Sequence, residues 1–328
     1  MNYHLGGRLK NAAAVLMYKP KLRIKYNEGK NMRILNLGSL NIDRVYGVEN
    51  FVQPGETISS LSLNTYCGGK GLNQAIAAKK AGSEVFMAGK VGTDGAILLS
   101  KLKEFAVDTQ FVLISEGFSG HAIIQVEKSG QNSIILYGGA NREISHSDVD
   151  FILSHFEKGD ILLLQNEISS MPYIIQKGYE KGMIIALNPS PMNEKLLECD
   201  LSKVTYFIMN EIEAQAICGE KEPDKAIETI HLKYPNSKIV ITLGADGVKY
   251  FDGEKTYFHG IFKVDVVDTT AAGDTFTGYF LNGVLENMEP MEILDMASKA
   301  SAIAVSRMGA ANSVPTKGEV MSTNLHIK

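Results

Sequence analysis

The sequence predicts an α/β fold: a mainly parallel central sheet sandwiched by helices in three layers, with a small second β-sheet outside it. Three observations carry this expectation. Short apolar runs recur along the chain, often continuous rather than alternating, as strands buried on both faces do. Segments of helical periodicity separate those runs, which places the strands parallel with helices over both faces. Two other stretches hold strand formers and turns without any helical period.

In chain order the apolar runs are "RILNLG", "EVFMAG", "DILLLQ", "MIIALN", "YFIMN" and "KIVITLG". Between the first two lies "LNQAIAAKKAG", with Leu72, Ala75 and Ile76 on one face and Gly82 as the expected C-cap. The first irregular stretch runs from Arg44 to Cys67 and turns at Pro54-Gly55. The second, Gly120 to Gly139, reads as a hairpin around Lys128-Ser129-Gly130. Residues of about 44–66 and 120–139 could together form one small sheet outside the main one, either a lid over a ligand crevice or an ordinary extension of a sheet edge. No internal repeat or low-complexity linker divides residues 32–320, so they are expected to form a single domain.

Composition narrows the function. The 328 residues are 45% hydrophobic and 21% charged, as in an ordinary globular protein. A net charge of −4 gives no basic footprint for nucleic acid. No apolar run approaches the ~20 residues of a membrane span. Cys67, Cys199 and Cys218 are far apart and odd in number, which argues against a disulfide framework and for the reducing cytoplasm. There is no HExxH or zinc-ligand spacing, no GxGxxG and no nucleophile elbow. Residues 1–31 differ from the rest: seven Lys and Arg against Glu28 alone give +6 and leave −10 for the remainder. Met32 opens what reads as a natural first strand. The basic stretch is expected to lie outside the fold, with a docking or targeting arm as the alternative.

Several short motifs could carry chemistry. "GSLNID" ends the first strand, where crevices of open α/β sheets lie, and puts Asn41 and Asp43 on one side. An amide beside a carboxylate suits a polyol; an Asx turn is the alternative. "CGGKGLNQA" sets three glycines around Lys70 and opens a helix, whose free N–H groups attract anions, without being a Walker A loop. Cys67 beside it is either an activated thiol or a small buried side chain. Glu167 follows a buried strand. In "MNEIE", Asn210 and Glu213 suit a hydrated Mg²⁺, or simply cap a helix. "ITLGADGV" leaves backbone N–H groups for a phosphate, or makes a plain β-turn.

"VDTTAAGDTFTGYF" is the most informative stretch. Phe276, Phe280 and Val284 set a helical period that begins near Asp274. Ala272, Gly273 and Asp274 then form a first turn whose N–H groups carry partial positive charge and whose side chains leave room for an anion. Asp274 there is either a capping acid or a base. Phosphoryl transfer needs positioned positive charge and a group to take the hydroxyl proton, and this one turn holds both.

"DTTAAGDTFTG" resembles the C-terminal signature of the ribokinase-like (PfkB) sugar kinases, and "GGKGLNQAIAA" resembles their N-terminal glycine signature. "GSLNID", "ALNPSP", "MNEIEA", "ITLGADGV" and "RMGAANSVP" follow in the family's order, so the resemblance spans about Met32 to Val320. It implies the three-layer fold with a β lid, and ATP-dependent phosphorylation of a sugar's primary hydroxyl, with D-ribose the leading substrate. By this likeness Asn41, Asp43, Gly69, Lys70, Gly71, Asn73 and Glu167 would hold the sugar. Asp274 would be the base, with Ala272 and Gly273 as the anion hole. Asn210 and Thr242, Gly244, Ala245, Asp246 and Gly247 would meet ATP, with Glu213 near a hydrated Mg²⁺. Asp268, Thr270, Ala304, Arg307, Gly309 and Ser313 would surround K⁺, several through carbonyls. The likeness also implies a homodimer.

The chain departs from the family in two places. The turn that is often "GDDxxG" is "VGTDGAIL" here, and Ser298 stands where a His often lies near the adenine. Deoxyribose, a ketohexose or a nucleoside remain alternative substrates. A non-catalytic sugar or nucleotide sensor is the alternative of another class.

Overall fold

The structure is a computed structural model, and it describes residues 32–328. The expectation for residues 1–31 lies outside the described residues. Met32–Lys328 form one compact unit.

Nine strands make the large sheet, in the order β13-β12-β11-β10-β9-β8-β1-β4-β5. In chain order they are β1 (Ile34–Leu37), β4 (Val85–Val91), β5 (Asp108–Ile114), β8 (Ile161–Gln165), β9 (Ile184–Asn188), β10 (Tyr206–Asn210), β11 (Lys238–Thr242), β12 (Val248–Phe251) and β13 (Thr256–His259). Pairing is parallel from β5 across to β11. β12 and β13 close one edge as antiparallel strands. All six apolar runs of the sequence are strands of this sheet.

Their continuity follows from burial on both faces. Ile34, Ile161, Leu163 and Ile208 point into one core, and Leu35, Leu162, Leu164 and Phe207 into the other. The first core is covered by α1 (Lys70–Lys80), α2 (Ala96–Glu104), α7 (Ala272–Leu285), α8 (Pro290–Val305) and α9 (Lys317–Ser322). The second is covered by α3 (His146–Ser154), α4 (Met171–Glu180), α5 (Glu211–Cys218) and α6 (Pro223–Lys233). Sheet and helices form the three expected layers.

The two irregular stretches form one small sheet, ordered β3-β2-β6-β7: β2 (Asn41–Val48), β3 (Ser62–Gly68), β6 (Gly120–Glu127) and β7 (Asn132–Tyr137). Within each pair the strands are antiparallel, as expected, but β2 and β6 join the two pairs in parallel. β2 begins at Asn41, three residues before the expected boundary, so a candidate site residue belongs to this sheet. The turns at Pro54-Gly55 and Lys128-Ser129-Gly130 form as read, with Gly55 and Gly130 at positive φ. α1 differs from its one-sided reading. Gly71 through Ala78 are all buried, because α1 packs against α7 as well as against the sheet. Its C-cap is Ala81, and Gly82 follows at φ 108.

Candidate active site

The site is set by a close crossing of α1 and α7. A β-carbon on Gly278 would overlap the backbone of Ala77 and Ala78, so the two helices touch main chain to main chain. One turn earlier on each helix, Asp274 meets Asn73 and Gln74. Asp274 is 7% exposed. Its Oδ1 accepts from Gln74 Nε2 at 2.9 Å and its Oδ2 from Asn73 Nδ2 at 3.2 Å. No side chain caps α7 by a hydrogen bond; Asp274 lies in its first turn and gives its carboxylate to α1 instead. The helix starts at Ala272, behind Ala271 at φ 62; Ala272 and Gly273 open its first turn, but the Ala272 N–H donates to the Thr269 carbonyl at 3.2 Å.

Gln74 is held in turn by Gln165, whose Nε2 donates to Gln74 Oε1 at 2.7 Å and to Asn36 Oδ1 at 3.0 Å. Asn36 Nδ2 donates to the Gly71 carbonyl at 2.5 Å. All three amides have no exposed surface. The sequence reading passed over them. The available signal was a polar residue inside a continuous apolar run, Asn36 in "RILNLG" and Gln165 in "DILLLQ".

The expected sugar residues converge beside this carboxylate. Asn41 pairs with Gly68 across the β2–β3 ladder, and a β-carbon on Gly68 would strike the Asp43 carboxylate. Glu167 Oε2 accepts from the Lys70 N–H at 3.0 Å and from Ser39 Oγ, which also accepts from the Gly71 N–H at 3.2 Å. Gly69, at φ 92, starts α1 against the Ser39 and Asn41 backbone, where a side chain would not fit. Asn73 Oδ1 is buried without a partner. Asn41 Oδ1 accepts from Asn141 Nδ2 at 2.8 Å rather than making an Asx turn. Ser39 and Asn141 are further residues the sequence reading missed. Burial, with the negative charge of Glu167 adding to it, pushes the Asp43 carboxyl up to about 6. Cys67 is half-buried and its thiol is pushed up, chiefly by burial, so it is not an activated nucleophile.

On the other side of Asp274 lies a cavity of about 230 Å³, lined by Lys70, Asn188, Asn210, Glu213, Thr242 and the Ala271–Asp274 turn. Asn210 and Glu213 form a reciprocal capping box on α5, at 2.9 and 3.0 Å, so the structural reading of "MNEIE" is realised on the cavity wall. Asn188 Oδ1 is buried there without a partner. Gly244–Asp246 form a short 3₁₀ turn after Thr242, and neither they, Gly247 nor Ser298 line the cavity. Ser298 is half-buried within α8; one turn on, Ser301 Oγ donates to the Ala272 carbonyl at 3.0 Å.

Of the expected K⁺ residues, three meet directly. The Asp268 carboxylate accepts from the N–H of Thr270 at 2.8 Å and of Gly309 at 2.9 Å. Burial opposes its charge, but these hydrogen bonds outweigh it and hold Asp268 below its usual range. The Arg307 N–H bonds the Ala304 carbonyl, while its guanidinium pairs with Glu319 at 3.1 Å. Ser313 Oγ turns away to the Ala310 carbonyl. Among the described residues, no cluster of three or more His, Cys, Asp or Glu could hold a metal, and no helix is long and apolar enough to cross a membrane.

Residues 32–317 match the family model described as pfkB family carbohydrate kinase. The chain belongs to the PfkB family. A ribokinase of Haemophilus influenzae is 35% identical over 295 residues, which is 87% of this chain and 96% of that protein. The structure of a Cryptococcus neoformans ribokinase in complex with ADP superposes with a TM-score of 0.78 at 32% identity, covering 88% of this chain and 99% of the other. An Arabidopsis thaliana ribokinase complexed with ribose and ATP gives a TM-score of 0.79 at 28% identity, covering 89% and 98%. The PfkB likeness thus spans the main sheet, the small sheet and both sides of Asp274.

Proposed function

We propose that this PfkB kinase transfers the γ-phosphoryl group of ATP to the primary hydroxyl of D-ribose, giving D-ribose 5-phosphate. The position of Asp274 carries the reading. Its carboxylate stands between a sugar-type cluster of amides and carboxylates and the first turn of α7, which lines the cavity.

In this mechanism Asn41, Asp43, Asn73 and Glu167 hold the sugar hydroxyls, and the unpaired Asn73 Oδ1 takes one of them as acceptor. Asp274 removes the proton of the attacking hydroxyl. The N–H groups of Ala272 and Gly273 bind the phosphoryl oxygens as charge builds on them. Lys70, on the shared wall, supports the same charge. Thr242 and the turn after it meet the nucleotide. Glu213 and the unpartnered Asn188 Oδ1 fit a hydrated Mg²⁺, which needs acceptors for its waters rather than a cage of carboxylates. When bound, Mg²⁺ supplies positive charge to the phosphates. Asp268, Thr270 and Gly309, just upstream of and beside the anion hole, fit the K⁺ site, and Ala304, Arg307 and Ser313 contribute to it only through carbonyls or a turned side chain.

The small sheet is read as the lid over the sugar, since Asn41 and Asp43 stand on it. It is also read as the dimer surface. All of β7 is exposed, with Ile134, Ile135, Leu136 and Tyr137 each more than half exposed, and Leu61, Leu63 and Tyr66 add to the apolar area. A second copy of the chain is the partner that would cover it. Sedimentation should therefore give a dimer at micromolar protein, and Ile135→Lys should shift it toward monomer; a wild-type monomer would sink this reading.

Free thiols throughout the described residues suit the cytoplasm. A coupled ADP-release assay across pentoses, ketohexoses and nucleosides tests the function. Ribose should give the highest kcat/KM. Turnover of a nucleoside or ketohexose above ribose would reassign the substrate, and no turnover of any would favour a sensor.

A further inference from the structure

The three buried amides beneath Asp274 have a direction. Gln74 donates to Asp274 Oδ1, so its own oxygen must face away, and it accepts from Gln165. Gln165 spends both amide hydrogens, on Gln74 and on Asn36, and its Oε1 is left buried without a partner, against Gly38. Turning Gln165 over would satisfy nothing: its oxygen would then face two other oxygens. Asn36 passes the last hydrogen to the Gly71 carbonyl, in the first turn of α1. The chain closes on the helix that carries Gln74.

Burying three unexposed amides in an apolar layer is costly, and leaving an acceptor orphaned adds to the cost. Neither Gln74 nor Gln165 lines the cavity beside Asp274. Their one outlet toward it is the Asp274 carboxylate.

We propose that Gln74, backed by Gln165 and Asn36, is a positioning residue that fixes the Asp274 carboxylate so that Oδ2, and not Oδ1, receives the substrate proton. Each carboxylate oxygen faces an amide donor, but Asn73, whose Oδ1 has no partner, can turn over to accept from a proton on Oδ2, and Gln74 cannot do so for Oδ1. Rotating Gln74 to present its oxygen would strand the Gln165 donor. Oδ2 has the longer contact, 3.2 Å to Asn73, a residue on the sugar side. The proton therefore moves from the hydroxyl to Oδ2, and the bond from Gln74 to Oδ1 persists through the step. This inference rests on Asp274 being the base.

The test compares kcat against pH for wild type, Asp274→Asn, Gln74→Met and Gln165→Leu. Losing a donor to the ionised carboxylate should move the acid limb of the Gln74→Met profile up by about one pH unit and lower kcat about 10-fold or more, with the KM for sugar and ATP within about twofold. Gln165→Leu, which does not touch Asp274, should shift the limb the same way by less. A Gln74→Met profile in the wild-type position, with kcat within twofold, overturns the proposal. If Gln74→Met does not fold, Gln165→Leu decides: an unmoved limb overturns it. Normal turnover by Asp274→Asn would instead remove the base itself. A crippled Asp274→Asn beside an unshifted Gln74→Met would remove only the orienting chain.

Discussion

Gly278 of α7 lies against the backbone of Ala78 in α1 with no room for a β-carbon between them. That contact sets the spacing of the two helices, and one turn earlier it brings Asp274 within hydrogen-bond reach of Gln74. Gly278→Ala must push the helices apart, because the obstacle is main chain and cannot rotate away. The cost should be about 1–3 kcal/mol, as for other overpacked interiors. Urea unfolding measures it. Turnover should fall as well, because the Asp274–Gln74 bond is stretched. A variant as stable and active as wild type would show that α7 is not held by this contact.

Asp43 is held near 6 by burial and by Glu167, against 3.8 when exposed. The folded state therefore binds its proton more tightly than the unfolded chain does, and the charged form lowers stability. The sign follows: the penalty is full well above pH 6 and fades as pH falls from 6 toward 4. Asp43→Asn should stabilise the ligand-free protein by about 2 kcal/mol at pH 8, allowing for solvent near a group that is not fully enclosed. By pH 5 the gain should shrink to about half. The same change should raise the sugar KM, because a bound sugar's hydroxyls would solvate the carboxylate that burial leaves unsolvated. An equal gain at both pH values would mean Asp43 is not the titrating group.

The core of the fold was legible because it is repetitive. Ile161 to Leu164 are all buried, alternating between two cores, and such a run reads as a strand without ambiguity. The edges were not. β5 and β13 bury one residue each, and β12 alternates buried and half-buried positions over four residues, a weaker signal, and the sequence reading did not single them out. In the site, Asp274 and the glycines stood out because small residues before a helix are rare in combination. Gln74, Gln165 and Asn36 did not, because their significance is a hydrogen-bond order across residues 36 to 274, which no local spacing records. The Asn210–Glu213 pair shows the opposite limit. Its spacing suits a capping box and a cation wall equally, and the fold uses it as a cap that also lines the cavity.

Asp268 ties the N–H of Thr270 to that of Gly309, so the segment leading into the first turn of α7 is clipped to the loop after α8. A monovalent cation seated among the carbonyls there would steady the turn that holds Ala272 and Gly273. Activity should therefore rise with K⁺ over tetramethylammonium at constant ionic strength. Asp268→Ala should lower activity in both salts and lose the response. Equal wild-type rates in the two salts would exclude a cation at this loop.

Asp274→Asn keeps the size of the side chain and removes the proposed base. An amide at this position must also turn one N–H toward either Gln74 or Asn73, both of which donate, so the local network is strained as well as neutralised. The effect on the chemistry should still dominate. kcat should fall at least ~100-fold, the low end for a lost general base. Nucleotide binding, measured by calorimetry, should hold within a few-fold, because the Ala272 and Gly273 N–H groups belong to the backbone and survive the change. The split distinguishes the base from a structural acid. A side chain that merely anchored α7 would weaken nucleotide binding and turnover together, since the proposed anion hole is the first turn of that helix. Turnover within tenfold of wild type would remove Asp274 from the proton transfer.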